Sequence, residues 1–349
     1  MKVRMLILLL SLLGLISCRR EEAPASGSLR IVFETAAIQT KAGEPDPAED
    51  GSAIVVTDGT PDLVILIANN SSGSIVATYP HGPVIDGALE GTATGTETSV
   101  SFSGLTGGLT YTVYAFANAQ GLWTMKSGES IVSDLLTLTT QAQVEALEFE
   151  PIPDEKNAFG CLNVLNGRLP LSAKGTTTLT ALGNGEITLP LKRCVAKVTA
   201  VFENQYGSDL NLYGYQSIFY HMNPSKGYVV MHENDFPVAQ DSSDDGDISA
   251  SEDLLVIVED GTISQSWYVL PSIGPYSCDV EFYTDAGKTD PNFHSYYNLP
   301  VQDYRARDIT QLARNQHLTI TTRISKGKQV SFNFEVADWL PKNETVSFE

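Results

Sequence analysis

Through most of this chain apolar and polar residues alternate with period two, the pattern of strands that bury one face. Leu29, Ile31 and Phe33 alternate with Arg30 and Glu34, and residues 98–102 repeat the pattern before 104–108 read as a turn. Residues 109–118 are a run of β-branched and aromatic side chains, which a pleated, half-buried surface favours. Residues 62–68, from Asp62 to Ala68, are an apolar run instead; Asn69-Asn70-Ser71-Ser72-Gly73 closes it as a turn, and 74–79 returns as the partner of a predicted hairpin. A second series starts near Thr176, with a turn at Gly183-Asn184-Gly185 and a long central strand over 194–202. Residues 254–258, 266–270, 278–283, 317–324 and 329–336 continue it. Only 130–138 and 141–147 admit a short helix, and no internal repeat stands out. The expectation is an all-β chain of two antiparallel β-sandwich domains in tandem with few short helices, divided near Pro190 into residues 42–190 and 191–349.

The start of the chain follows another pattern. Basic Met1-Lys2-Val3-Arg4 precedes a 12-residue apolar run from Met5 to Ile16, broken only by Ser11 and Gly14. Spanning a bilayer takes about 20 apolar residues, so this run is too short. Ser17-Cys18 closes it, and residues 1–18 read as a secretory signal peptide of the lipoprotein kind with Cys18 as the lipidated residue. Residues 19–41 then read as a propeptide: a polar spacer, the strand carrying Leu29, Ile31 and Phe33, and a basic loop around Thr40-Lys41-Ala42-Gly43. Exposed loops are where proteases cut, so the bond between Lys41 and Ala42 is a candidate processing site. The same residues also fit a first strand followed by an ordinary surface loop.

Composition narrows the function. Hydrophobic content of 42% with 9% aromatic residues is globular, and more than 300 of the 349 residues remain after the signal, enough for two cores. The formal charge is −20; cutting after Lys41 would remove six basic and three acidic residues and take it to −23. Such a surface repels phosphate backbones and argues against a nucleic-acid partner. Besides Cys18 there are Cys161, Cys194 and Cys278, an odd number in no zinc spacing, which suits buried thiols used as small hydrophobes. No Gly-x-Ser-x-Gly elbow, P-loop, dinucleotide fingerprint or His-Glu-x-x-His helix occurs, and the five histidines are scattered. The many carboxylates leave a glycosidase pair open, but an acidic surface supplies such pairs by chance. The expectation is that the chain is not an enzyme.

One local motif suggests a cofactor. Residues 241–252 fit the 12-position calcium loop, with Asp241, Ser243 and Asp245 at positions 1, 3 and 5, Gly246 at the sharp turn, the Asp247 carbonyl at 7 and Glu252 at 12. Against Ca²⁺, Phe236-Pro237 ahead of it is no helix, and Asp253 stands where an apolar residue would open the exiting helix. A solvated acidic loop is the commoner outcome for such a segment.

Several segments together resemble the fimbrillin family, the lipoprotein-exported subunits of Bacteroidia surface fimbriae, or type V pili. They are the signal, Leu29 to Phe33 followed by Thr40-Lys41-Ala42, Arg193-Cys194-Val195-Ala196-Lys197-Val198, Arg314-Asn315-Gln316-His317-Leu318, and Phe334-Glu335-Val336-Ala337-Asp338-Trp339. The resemblance implies transthyretin-like β-sandwiches, delivery to the outer membrane by lipid on Cys18, and cutting after a basic residue by a trypsin-like protease. By position that residue is Lys41, where the family often has Arg, leaving Ala42 as the mature N-terminus.

Physical chemistry agrees with that scheme. Loss of the strand with Leu29, Ile31 and Phe33 would open an unpaired edge and an apolar groove, a template for another strand. A strand from a neighbouring subunit can fill it by β-augmentation, and head-to-tail repetition of such a contact builds a filament. Val330, Phe332, Phe334 and Val336 alternate near the end, and the tail beyond carries Trp339, Leu340, Val346 and Phe348. Either stretch suits a groove, and the favoured donor combines Val336 with the tail. Partners are then other fimbrial subunits, the processing protease and, for the precursor, the outer membrane. The competing readings are a lipid-retaining fimbrial anchor, a tip adhesin, or a surface glycan-binding lipoprotein using Trp123 and Trp267 as an aromatic platform.

Overall fold

The computed structural model describes residues 26–35, 56–57, 60–80, 82–85, 88–89, 93–95, 98–118, 123–125, 135–151, 169–206, 212–224, 227–230, 245–249, 255–283, 295–325 and 329–338. Strands dominate them, in two sandwiches joined by a buried connection.

The first sandwich holds β1 (Ser26–Thr35), β2 (Leu63–Asn69), β3 (Ile75–Tyr79), β4 (Ser99–Thr106), β5 (Thr110–Ala117), β6 (Leu171–Thr178) and β7 (Asn184–Arg193). Their order is β3-β2-β5-β6-β7-β1-β4, extended by short strands to ten. β7 turns the corner. Asn184 to Leu191 pairs with β1, whereas Lys192 and Arg193 pair with Ser172 and Leu171 of β6. The ribbon therefore folds into two layers around one core, with Leu29, Ile31, Val100 and Phe102 from one and Ile65, Ile67, Val113 and Ala115 from the other.

The unbroken apolar run of β2 has a separate cause. Leu63, Ile65 and Ile67 enter that core, while Val64, Leu66 and Ala68 point the other way into a second one. Tyr114 and Phe116 of β5 join them there, covered by Val144 of a short helix, α1 (Gln141–Glu145), and by Leu147, Leu169 and Leu270. Thr140 caps α1: its hydroxyl accepts from the Gln143 backbone while the Gln143 side chain accepts from the Thr140 N–H. A strand buried on both faces has no polar side to show, hence the missing alternation.

The second sandwich contains β8 (Ala196–Gln205), β9 (Leu212–Pro224), β10 (Thr262–Val269), β11 (Ser277–Tyr283), β12 (Ser295–Pro300), β13 (Gln316–Ser325) and β14 (Gln329–Asp338). One sheet runs β10-β8-β13-β14 and the facing one has β9, β11 and β12 in that order. Val198, Ala200, Phe202, Leu318 and Ile320 meet Phe219, Met222, Cys278 and Val280 between them. Among the described residues pairing is antiparallel except for one parallel pair in each half, β1 with β7 and β8 with β13. Cys194 and Cys278 are buried thiols in no disulfide, and burial, with the Asp279 charge adding to it, pushes Cys278 up to about 12. Cys161 lies outside the described residues.

Candidate functional site

β1 lies inside its sheet, between β7 on one side and β4 on the other. From Ser28 to Thr35 it runs parallel to Asn184–Leu191, and from Ser28 to Val32 antiparallel to Ser99–Ser103. The sequence pattern dictates its facing. Leu29, Ile31 and Phe33 are 0%, 0% and 6% exposed, while Arg30 and Glu34 face solvent. Outside, Arg30 Nη1 lies 3.0 Å from Glu186 Oε2 and the Ser28 hydroxyl donates to Asn184 Oδ1 at 2.9 Å. These exposed polar contacts contribute little, whereas the inward side chains carry the strand. Burying each is worth about 1.5–3 kcal/mol, so the three contribute roughly 5–9 kcal/mol as an upper bound. A typical domain is stable by only about 5–15 kcal/mol. Without β1 the first sandwich would lose an amount comparable to its whole stability and expose two rows of unpaired backbone groups along β4 and β7.

The other sequence-predicted residues are placed as follows. Cys18, Lys41 and Ala42 lie outside the described residues. Val336 sits in β14 opposite Leu318 of β13, half-buried against the second core; Trp339, Leu340, Val346 and Phe348 lie outside the described residues. Asp245 and Asp247 fall in a short strand, Asp245–Ser249, paired with β9, and Asp241, Ser243 and Glu252 lie outside the described residues. Among the described residues no group of three or more His, Cys, Asp or Glu side chains is placed to hold a metal ion. Trp267 is 2% exposed and packs edge-on against Phe219 at 5.7 Å, so it serves the core and not an aromatic platform. Trp123 lies in the strand Trp123–Met125.

A second assembly of residues emerges only in three dimensions. The connection from β7 to β8 is Cys194-Val195, buried under both halves. Arg314, 5% exposed, reaches across it: Nη1 donates to Ser172 Oγ at 2.9 Å and to the Val229 carbonyl at 3.4 Å, and Nη2 to the carbonyls of Tyr228 at 3.0 Å and Val230 at 3.4 Å. Arg193 Nη1 donates to Asn315 Oδ1 at 2.9 Å, and the Asn315 N–H to the Val195 carbonyl at 2.8 Å. The segments 193–198 and 314–318, singled out above only through the resemblance, are thus the two sides of one joint. Nothing in a single sequence shows that a charged Arg314 is buried, because its partners are mostly backbone carbonyls.

In the first half Glu145 of α1 accepts from the Tyr114 hydroxyl at 2.6 Å, Lys174 Nζ at 2.7 Å and Gln141 Nε2 at 3.1 Å. Burial raises this carboxyl, but those donors outweigh it and hold Glu145 at about 2. In the second half burial, followed by the Lys197 charge, lowers His317 to about 4, and its Nε2 lies 2.8 Å from Thr199 Oγ1.

No family model and no curated protein matches this sequence. Solved structures do match. The C-terminally truncated tip fimbrial protein Mfa3 of Porphyromonas gingivalis aligns over 89% of this chain and 100% of its own, with a TM-score of 0.53 and 12% identity. A fimbrilin of Porphyromonas gingivalis W83 aligns over 93% of this chain and 99% of its own, with a TM-score of 0.50 and 11% identity. At such identities what is shared is the fold, along the whole length of both relatives.

Proposed function

We propose that this chain is a structural subunit of a cell-surface fimbria, that it supports adhesion and that it performs no catalysis. In this reading the precursor reaches the outer membrane by lipid on Cys18 and a trypsin-like protease cuts it after Lys41. Residues 42–190 then accept a strand and residues 191–349 donate one, through Val336, Trp339, Leu340, Val346 and Phe348, to other fimbrial subunits. The observation that carries the reading is the place of β1. It is an interior strand supplied by the start of the chain, and Ser28 and its neighbour Asn184 are 156 residues apart. Such a strand is held by packing and ladder bonds instead of a tight turn, so a strand of another subunit can take its place once the connection is cut. A fold shared with two fimbrial proteins supports the same class of role.

Replacing Lys41 with Ala tests it. The expected product is a folded, lipid-anchored monomer that forms no filaments, while wild-type protein sheared from cells begins at Ala42. Filaments from the Lys41→Ala chain with an unchanged mature N-terminus would overturn the assignment. Wild-type protein that keeps a lipidated Cys18 would point instead to an anchor or a glycan-binding lipoprotein.

A further inference from the structure

The slot that holds β1 has side-chain walls along most of its length and a backbone wall at one end. At that end Gly27, buried, crosses the turn before β7. A Cβ built on Gly27 would lie 2.0 Å from the carbonyl oxygen of Gly183 and 2.6 Å from its Cα and carbonyl carbon. The reverse also holds. Gly183 has φ +90°, and a Cβ there would come within 2.5 Å of the Gly27 Cα. Gly107, in the turn after β4, closes the stack, since its Cβ would lie 3.0 Å from the Gly183 Cα and amide nitrogen.

Every obstructing atom in this crossing belongs to the backbone, and the backbone is tied down. The Gly183 N–H donates to the Thr180 carbonyl at 2.8 Å, and the Gly108 N–H to the same carbonyl at 3.0 Å. The Ser28 N–H donates to the Gly183 carbonyl at 2.6 Å. A clash with a flexible side chain is relieved by rotation, but here relief would break one of these bonds. The ladder records the crossing as well, for the register of β1 against β4 shifts between Gly27 and Ser28. Two residues further on, Leu29 stands opposite Phe102 of β4 and Gly185 of β7 and packs into the core among side chains, which can adjust.

We infer that the crossing of Gly27, Gly183 and Gly107 is a register stop for whatever strand occupies this slot. A strand in the place and direction of β1 must carry glycine at the Gly27 position or begin beyond it. This rests on the exchange reading above and sharpens it. The partner is a strand of a second subunit with apolar residues at the Leu29, Ile31 and Phe33 positions and no side chain two residues before the first of them. Without the stop, a two-residue slip would keep every apolar residue facing inward, because the side-chain period is two; the hydrophobic pattern alone does not choose between such registers.

The test begins with the full, uncut chain carrying Gly27→Val, with Ser26→Val at the exposed neighbouring position as control. The Ser28 amide is expected to exchange about tenfold faster or more in the first and within about twofold of wild type in the second. Equal protection of Ser28 in both variants would overturn the stop. A second measurement uses the full chain nicked after Lys41 and asks which synthetic peptides displace its β1. Peptides 26–35 and 28–35 are expected to compete alike, and peptide 26–35 with Gly27→Val about tenfold or more weakly. A Gly27→Val peptide as effective as the native one would overturn the inference, as would a 28–35 peptide as weak as the Gly27→Val one. If the native peptide itself never displaces β1, strand exchange fails as a reading, and the amide experiment alone judges the stop.

Discussion

The two ten-residue strands nearest the ends of the described chain, β1 and β14, look alike in sequence and sit differently in the fold. Both alternate apolar and polar residues. β1 has a neighbour on each side and buries Leu29, Ile31 and Phe33, while β14 is the last strand of its sheet and leaves Val330, Phe332, Phe334 and Val336 half-buried. Connection differs too. β14 returns directly on β13 as a hairpin, from Ser325 opposite Gln329 to Gln316 opposite Asp338. β1 finds its partners at Val100 and Ile187, far along the chain. Removing an edge strand shortens a sheet, whereas removing an interior one opens a slot with two ladders. The comparison teaches that position in the sheet, and not the pattern of the strand, decides which segment would leave an open slot if it were taken out.

Charge in each strand tests that contrast with the largest effect. Ile31→Asp puts a carboxylate where the residue is 0% exposed, and is expected to cost more than about 4 kcal/mol, so that little folded protein survives. Phe334→Asp in β14 can turn part of its side chain to water and is expected to cost about half as much or less. Denaturant melts of the two variants compare them directly; equal losses would erase the distinction between interior and edge strand.

The joint between the halves comes next. Arg314→Met leaves Ser172 and the carbonyls of 228–230 without their shared donor in a buried place, at about 2–4 kcal/mol. Because those bonds couple the sandwiches, the single unfolding transition is expected to split in calorimetry, the two halves melting apart. A single sharp transition at an unchanged temperature would show that the apolar packing around Cys194 and Val195 suffices.

The smallest effects separate the halves by acid. In the second half the unfolded chain protonates His317 near 6.5, while the folded chain leaves it neutral down to about 4. Across that window the unfolded state binds the extra proton, so stability falls as pH falls, by on the order of 2 kcal/mol. In the first half Glu145 keeps its charge to about 2 against an ordinary value of 4.5. Its contribution is present above 4.5 and is lost as pH falls between the two. The side chain is 31% exposed and solvent screens it, so on the order of 1 kcal/mol is at stake. His317→Gln is expected to flatten the melting temperature between pH 6.5 and 4, and Glu145→Gln only below 4.5. Identical pH profiles for both variants and wild type would refute the assignment.

The all-β character, the hairpin of β2 and β3, and the inward face of β1 were legible in the sequence, because burial of one strand face writes a period of two into neighbouring residues. Boundaries were less legible wherever distant contacts intervened. Gly185 reads as part of a turn, yet it lies in β7 opposite Leu29, and the turn already ends at Gly183. Gly104 likewise reads as a turn residue, but β4 continues through it to Thr106. Pro190 reads as a boundary and instead sits within β7, on its exposed side. Cys194 and Val195 look like the start of a strand and are the buried joint, with β8 starting at Ala196. The sequence alone therefore determined which residues seek a core and at what period. Which core they enter, whether a neighbour runs parallel, and that Arg314 lies under two sandwiches were decided by the tertiary structure. Alternation is a local property of one strand and one buried face, while pairing and the burial of a cation depend on groups distant in the chain, 84 to 142 residues away for Arg314.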